Sequence, residues 1–253
     1  TASNIDLNGT TYNSNDGTIS YTGTVDLIGA GVSIDSDANA DGTDGNISFS
    51  STVDGGQTLA LDADAGTVTI TGAAGGTTAL TSLTVSAASQ ADLANVTTTG
   101  AQSITASNID LTGATYSSTT GGAIGFTGAV DLDTAGAIGI TTAGGAGDNI
   151  SFSTTVDDDA ANDTDLTLGA GAGGNVTVSG AVGATNALAS VTVSAASQAD
   201  LANVTTIGAQ SITASNIDLN GTTYSSNDGT ISYTGAVDLI GAGVSIDSDA
   251  NAD

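Results

Sequence analysis

The sequence predicts an all-β chain wound into a parallel β-solenoid, in which short strands stack in coils of about 21 residues. Three observations predict this fold. Apolar and polar residues alternate over short stretches, similar stretches recur about every 21 residues, and near-identical copies recur over a longer distance. One such copy covers residues 85–111 and returns at residues 193–219 with one change, Thr99 to Ile207. A unit of about 21 residues cannot bury an apolar face alone, so it must stack on its neighbours.

The predicted strands follow one another with turn residues between them. The stretches "NIDL", "TVDLI", "NISF" and "TVTI" are centred near residues 6, 26, 48 and 69 and are bounded by Gly, Asn or Asp, which favour turns. Because side chains alternate between the two faces of a strand, one set must face the core. The inward set is predicted to include Ile47, Phe49, Val68, Ile70, Leu83 and Val85. About 12 coils at about 4.8 Å each would make a rod on the order of 60 Å long.

The motif "TASNIDL" marks the long repeat, beginning at Thr1, Thr105 and Thr213. It predicts a first repeat over residues 1–104, a second over 105–212 and a partial third over 213–253, in one continuous solenoid without linkers. Residues 154–173 of the second copy carry an insertion rich in Asp and Ala relative to residues 51–66, and such insertions map to surface loops.

Tandem immunoglobulin-like sandwiches are the competing all-β fold, since such domains have about 100 residues. The scarcity of aromatic residues, the finer recurrence and the absence of linkers between copies favour the solenoid.

The composition excludes most functions that need a basic side chain. The chain has no Lys, Arg, His or Cys, and its Asp residues give it a net charge of −27. Nucleophilic and acid–base catalysis usually recruit His or Lys, and nucleic acids and anionic membranes bind positive protein surfaces. We therefore predict no enzyme, no nucleic-acid partner and no insertion into a membrane. Carboxylates alone can hydrolyse glycosides, so a carbohydrate-active β-helix protein that binds or hydrolyses polysaccharides stays as an alternative.

The acidic stretch "DSDANADGTDGN" is the first candidate metal site. Its oxygen-bearing residues are Asp35, Asp37, Asn39, Asp41 and Asp44. The spacing Asp37-x-Asn39-x-Asp41 followed by Gly42 imitates the start of a calcium-binding loop, although the twelfth position is Ser48 instead of Glu. The alternative is a solvated turn between two coils, since Asp, Asn and Gly favour turns.

The stretch "VDDDAANDTDL" is the second candidate. Its carboxylates are Asp157, Asp158, Asp159, Asp163 and Asp165. No basic side chain is present to pair with them, so solvent counterions or a hard cation must reduce their repulsion. The stretch is either a calcium-binding loop or a solubilising surface loop. No cofactor is required by the fold, and calcium is the one that these loops suggest.

Two phrases carry a resemblance to a known family: "NISFSSTVDGGQTLALDADAGTVTITGAAGGTTALTSLTVSAA" and "ANVTTTGAQSITASNIDLNGTTY". They resemble the repeat regions of filamentous-haemagglutinin-like bacterial exoproteins, and the resemblance extends over essentially the whole chain. It implies a right-handed parallel β-helix in a large secreted or surface-bound adhesin.

The expected function is therefore that of a structural and adhesive segment of an extracellular or cell-surface fibre. Its expected partners are other repeats of the same chain, neighbouring copies in a filament or array, and host or environmental glycans or surfaces. A self-assembling extracellular matrix filament is the alternative within the same class.

Overall fold

The computed structural model describes residues 2–39, 44–159 and 163–250, and these residues form strands and turns with no helix. The strands are β1 (Asn4–Leu7), β2 (Thr11–Asn13), β3 (Ile19–Tyr21), β4 (Thr24–Leu27), β5 (Val32–Asp35), β6 (Ile47–Phe49), β7 (Val53–Asp54), β8 (Thr58–Asp62), β9 (Thr67–Ile70), β10 (Ser82–Ala87), β11 (Gln90–Leu93), β12 (Val96–Thr98), β13 (Gln102–Leu111), β14 (Thr115–Ser118), β15 (Ile124–Leu132), β16 (Gly136–Thr141), β17 (Ile150–Phe152), β18 (Val156–Asp158), β19 (Thr164–Gly169), β20 (Asn175–Val178), β21 (Ser190–Ala195), β22 (Gln198–Leu201), β23 (Val204–Thr206), β24 (Gln210–Leu219), β25 (Thr223–Ser226), β26 (Ile231–Leu239) and β27 (Ser245–Asp247). Within these residues no helix is long and apolar enough to cross a membrane.

All pairings between strands are parallel, and they stack the chain into three ladders. Ladder 1 begins with β1, β4 and β7, ladder 2 with β2, β5 and β8, and ladder 3 with β3, β6 and β9. The chain visits the three ladders in that order in every coil. The long strands β13, β15, β24 and β26 bend at a corner and contribute to two ladders each. The predicted β-solenoid is therefore confirmed.

The stack has about 11 coils, one fewer than the sequence predicts. Coil length varies, because residues in register on successive coils lie as close as 18 positions apart, as Gln90 and Asn108 do, or as far as 28 apart, as Val25 and Val53 do. Residues stay in one-to-one register along most of each pair of strands, so most of the difference in length lies at the corners. A single period of 21 therefore underestimates the average coil.

The core is one column of apolar side chains enclosed by the three ladders. The six residues predicted to face inward, Ile47, Phe49, Val68, Ile70, Leu83 and Val85, are all buried. On ladder 2, the ring of Phe126 stacks on that of Phe152, with ring centres 5.1 Å apart. On ladder 3, the ring of Tyr21 stacks on that of Phe49, with ring centres 5.0 Å apart. Tyr21 and Phe126 thus both pack against an aromatic ring of the next coil.

Tyr116 and Gln102 are buried residues of the core whose polar groups hydrogen-bond to the backbone of a neighbouring coil. The Tyr116 hydroxyl donates to the Leu93 carbonyl at 2.6 Å and accepts from the Gly113 amide at 3.0 Å. The Gln102 side chain is also buried, and its Nε2 donates to the Ser117 carbonyl at 2.9 Å. Both groups satisfy backbone atoms at corners, where strand pairing is interrupted.

The long sequence repeat does not contain a whole number of coils. Ile5 lies on ladder 1 in the first coil, Ile109 on ladder 3 in the fifth, and Ile217 on ladder 2 in the tenth. Each ladder forms one of the three sides of a coil. Each copy therefore spans four full coils and two of the three sides of a fifth. The copy boundaries at residues 104 and 212 fall inside β13 and β24, so the ladders continue across them.

Candidate metal sites and the aspartate columns

Aspartates occupy the same place on successive coils and form a column on each ladder. On ladder 3, Asp92 is in register with Asp110, Asp110 with Asp131, and Asp131 with Asp157. The corresponding column is Asp6, Asp26 and Asp54 on ladder 1, and Asp200, Asp218 and Asp238 on ladder 2. The column lies on a different ladder in each copy because successive copies of the sequence begin on different ladders.

Side-chain amides hold neighbouring carboxylates of a column together. Gln90 Nε2 donates to Asp92 Oδ1 at 2.6 Å and to Asp110 Oδ2 at 2.8 Å, and Asn108 Nδ2 donates to the other oxygen of Asp110 at 2.6 Å. Burial, followed by the nearby charges of Asp92 and Asp131, raises the pKa of Asp110 to about 6. The amide donors thus offset part of the repulsion between the carboxylates. Desolvation and the remaining repulsion keep Asp110 protonated to a higher pH than an ordinary aspartate.

The raised pKa of Asp110 predicts that this column destabilises the fold at neutral pH. A carboxyl group whose pKa is higher in the folded state contributes full stability below its ordinary pKa of 3.8, and that contribution is lost as the pH rises through about 6. Asp110→Asn removes the charge and keeps an oxygen for the amide donors. We expect it to raise the melting temperature at pH 7 by about 2–4 °C, for a discounted gain on the order of 1 kcal/mol.

The measurement is a pair of melting curves for the native chain and the variant at pH 4 and pH 7. The difference should shrink at pH 4, where Asp110 is protonated in the folded state and about half protonated in the unfolded chain. Asp16→Asn, at an exposed carboxylate outside the columns, is the matched control and should change little at either pH. Equal melting of native chain and Asp110→Asn at pH 7 would contradict the prediction.

The first acidic corner joins the second and third coils between ladders 2 and 3. Asp37 and Asp44 lie in the turn that connects β5 to β6, and Asp64 lies in the turn that connects β8 to β9. One carboxylate oxygen of each of the three residues lies within 4.8 Å of the other two. The turns are fixed by local bonds, since the Ser36 hydroxyl donates to the Gly45 carbonyl at 2.8 Å.

Two members of this corner are unusual. Asp37 is only 4 % exposed, and its Oδ1 is buried without a hydrogen-bond partner. Asp64 has a φ of 47°, and among the described residues it is the one non-glycine with a positive φ. Partial desolvation and the carboxylates of Asp62 and Asp37 raise the pKa of Asp64. The corner therefore concentrates negative charge at a fixed place.

The other predicted residues of the first stretch have separate roles. Asp35 is in register with Asp62, and its Oδ1 accepts the Asp37 amide at 3.0 Å, which shapes the turn. Asn39 donates through Nδ2 to Asp16 at 3.2 Å. Asp41 lies outside the described residues.

Asp64 was missed by the sequence analysis because it lies 27 residues beyond Asp37, on the next coil. A signal for it exists. The stretches "SIDSD" at residues 33–37 and "ALDAD" at residues 60–64 carry the same pair of aspartates, and the ladder places one directly over the other.

The second acidic stretch lies at a corner between ladders 3 and 1, where the predicted insertion separates β18 from β19. Asp158, Asp159 and Asp163 bring carboxylate oxygens within 4.8 Å of one another. Asp158, however, already accepts three bonds from the protein: its Oδ1 from the Asp159 amide at 2.9 Å and the Thr164 hydroxyl at 2.8 Å, and its Oδ2 from the Thr164 amide at 3.0 Å.

The remaining two residues of this stretch fix neighbouring coils. Asp157 Oδ1 accepts the Thr185 amide at 2.8 Å, and Asp165 accepts a bond from the Ser190 hydroxyl. In the first copy, Asp54 Oδ1 accepts a hydrogen bond from the Thr77 amide at 2.7 Å, as Asp157 Oδ1 does from Thr185. These carboxylates act as acceptors for turns of the next coil.

Asparagines in Asn-x-Ser/Thr sequences also bond across coils. The Oδ1 atoms of Asn46, Asn95 and Asn203 accept the backbone amides of Thr67, Thr115 and Thr222 at 2.9, 3.0 and 2.7 Å. Each side chain therefore replaces a ladder bond at a corner. This geometry favours a structural role for these asparagines.

The chain was compared with protein-family models, curated proteins and solved structures. No protein-family model, no curated protein and no solved structure matches the chain. The fold and the chemistry of its surface therefore have to indicate the function.

Proposed function

We propose that this chain is a structural and adhesive segment of a long secreted or cell-surface β-solenoid fibre, without a catalytic role. The observation that carries the proposal is that near-identical sequence copies occupy successive sides of one continuous stack of coils. Such a stack repeats the same side chains along and around a rod, which is what multivalent contact requires. The resemblance of the repeat phrases to filamentous-haemagglutinin-like exoproteins supports the same function.

The displacement of the copies sets the spacing of any adhesive motif. Residues 102–111 and 210–219 are identical and have the same pattern of buried and exposed positions, yet they lie on different pairs of ladders. After three copies a motif returns to its starting side, 14 coils further on, which is about 67 Å at about 4.8 Å per coil. A partner approaching the fibre from any side would meet the motif.

The experiment that tests the proposal combines two assays on the same purified chain. Beads coated with the chain are expected to be retained under flow on surfaces that carry polysaccharides or the chain itself. Beads coated with a variant that lacks residues 105–212 should be retained less, because each rod offers fewer contacts. Incubation with the same polysaccharides is expected to release no reducing ends.

The opposite results would separate the alternatives. Release of reducing ends that is abolished by Asp110→Asn with Asp131→Asn would replace the proposal with a carbohydrate-active function, since these carboxylates line an open cleft on ladder 3. Absence of retention on every surface would remove the adhesive part of the proposal.

A further inference from the structure

We propose that Asp37, Asp44 and Asp64 form a calcium site that ties the second coil to the third. Asp37 and Asp44 come from one coil and Asp64 from the next, so an ion bound by all three bridges two coils. The site is a local property of this corner and does not depend on adhesion.

The buried oxygen of Asp37 carries the argument. An ionised carboxylate that is removed from water needs hydrogen-bond donors or a positive charge, and its burial is otherwise strongly unfavourable. Asp37 Oδ1 has no donor, and the chain contains no Lys, Arg or His that could supply the charge. Two further carboxylates approach it instead. A cation at this position would compensate the buried charge of Asp37 and reduce the repulsion among the three carboxylates.

The other buried aspartates among the described residues do not have this deficit. Asp148 accepts the Gly122 amide at 2.6 Å and the Gly145 amide at 2.8 Å. Asp157 and Asp158 also accept backbone amides. The fold thus satisfies its buried carboxylates with N–H donors elsewhere, and the second acidic corner needs no ion.

The donor set selects calcium among common cations. All three donors are carboxylate oxygens, which hard divalent cations prefer. Two oxygens on opposite sides of calcium, each about 2.4 Å from the ion, are about 4.8 Å apart, and calcium takes additional water ligands without a strict geometry. Oxygens of the three residues lie within 4.8 Å of one another, so one ion can contact all three, and calcium is favoured over magnesium because magnesium demands a near-ideal octahedron and gives up its waters reluctantly.

The second copy supplies an internal comparison. Its equivalent corner, between β16 and β17 and between β19 and β20, has Ala143, Gly147 and Gly171 at the three positions. The two corners share two local features among the described residues: the Thr142 hydroxyl donates to the Asp148 carbonyl as Ser36 does to Gly45, and Gly171 has a φ of 68° where Asp64 has 47°. All three carboxylates are absent from the equivalent corner, which has three fewer residues between its first two positions. The shared hydrogen bond and the positive φ therefore form without them.

The experiment is calcium titration of the full-length chain by calorimetry at constant, near-physiological ionic strength, with magnesium chloride as the comparison. We expect one calcium ion per chain to bind more tightly than magnesium. Asp64→Gly, which introduces the residue of the equivalent corner, and Asp37→Asn should each weaken binding at least tenfold. Asp163→Asn, in the second acidic corner, is the matched control and should bind calcium as the native chain does.

Melting curves in chelator show whether each variant folds, and Asp64→Gly is expected to melt at or above the native temperature because glycine adopts a positive φ without strain. Three results would overturn the proposal: absence of calcium binding to the native chain, equal binding of calcium and magnesium, or binding that survives Asp64→Gly. Loss of binding in Asp163→Asn alone would move the site to the second corner and also overturn it.

Discussion

Substitution of Ile70 by Asp should destabilise the chain by about 4 kcal/mol or more, the largest effect of any single change considered for this fold. Ile70 is 1 % exposed and lies on ladder 3 between Phe49 and Leu93 of the adjoining coils. The variant removes apolar contacts and places a carboxylate where no donor or cation can reach it. Chemical denaturation followed by far-UV circular dichroism measures the change in unfolding free energy.

The matched control uses the same substitution at an exposed isoleucine. Ile28 is 55 % exposed, and Ile28→Asp should change the unfolding free energy by no more than about 0.5 kcal/mol. If both variants unfold at the denaturant concentration of the native chain, the side-chain register of ladder 3 is wrong.

Substitution of Gly128 by Ala should have the second largest effect, at about 3 kcal/mol or more. Gly128 lies at the bend of β15, where the ladder register shifts and two residues of β13, Ala106 and Ser107, oppose it. It has a φ of 139°, and an added Cβ would lie 1.8 Å from the Ala106 carbonyl oxygen. The backbone of one of the two coils would have to move. Gly235 shows the same close approach, at 1.9 Å from Ala214.

A glycine of the same copy without these constraints provides the comparison. Gly139 has no positive φ, and the nearest atom to its added Cβ is 3.9 Å away. Gly139→Ala should be neutral or stabilising by up to about 1 kcal/mol, because alanine restricts the unfolded chain. Equal melting temperatures for Gly128→Ala and Gly139→Ala would show that the corner does not have the close approach described.

The sequence predicts the local features of this fold better than its long-range ones. Alternation identifies the inward residues, since a period of two allows only two choices and burial decides between them. Ile70 and Val85 therefore lie where the pattern places them. Coil length is harder to predict, because the corners absorb insertions such as the one between β18 and β19 without disturbing the ladders.

The candidate metal site shows the same limit. Asp37 and Asp44 can be found from one acidic stretch, but Asp64 enters only when the pairing of β5 with β8 is known. The sequence also does not show which of the two acidic stretches leaves a buried carboxylate oxygen without a hydrogen-bond donor. Both are rich in Asp, and only the structure shows that Asp158 receives backbone donors while Asp37 Oδ1 does not.

Small-angle X-ray scattering of the intact chain and of the variant lacking residues 105–212 tests most directly the claim that the chain is one rod of stacked coils. The deletion joins residue 104 to another "TASNIDL" motif, so the local sequence at the junction is kept. We predict a rod about 50 Å long for the intact chain, a loss of about 22 Å in the variant for four coils and two sides, and the same cross-section in both. A changed cross-section, or a variant that is unfolded or no shorter than the intact rod, would contradict the account.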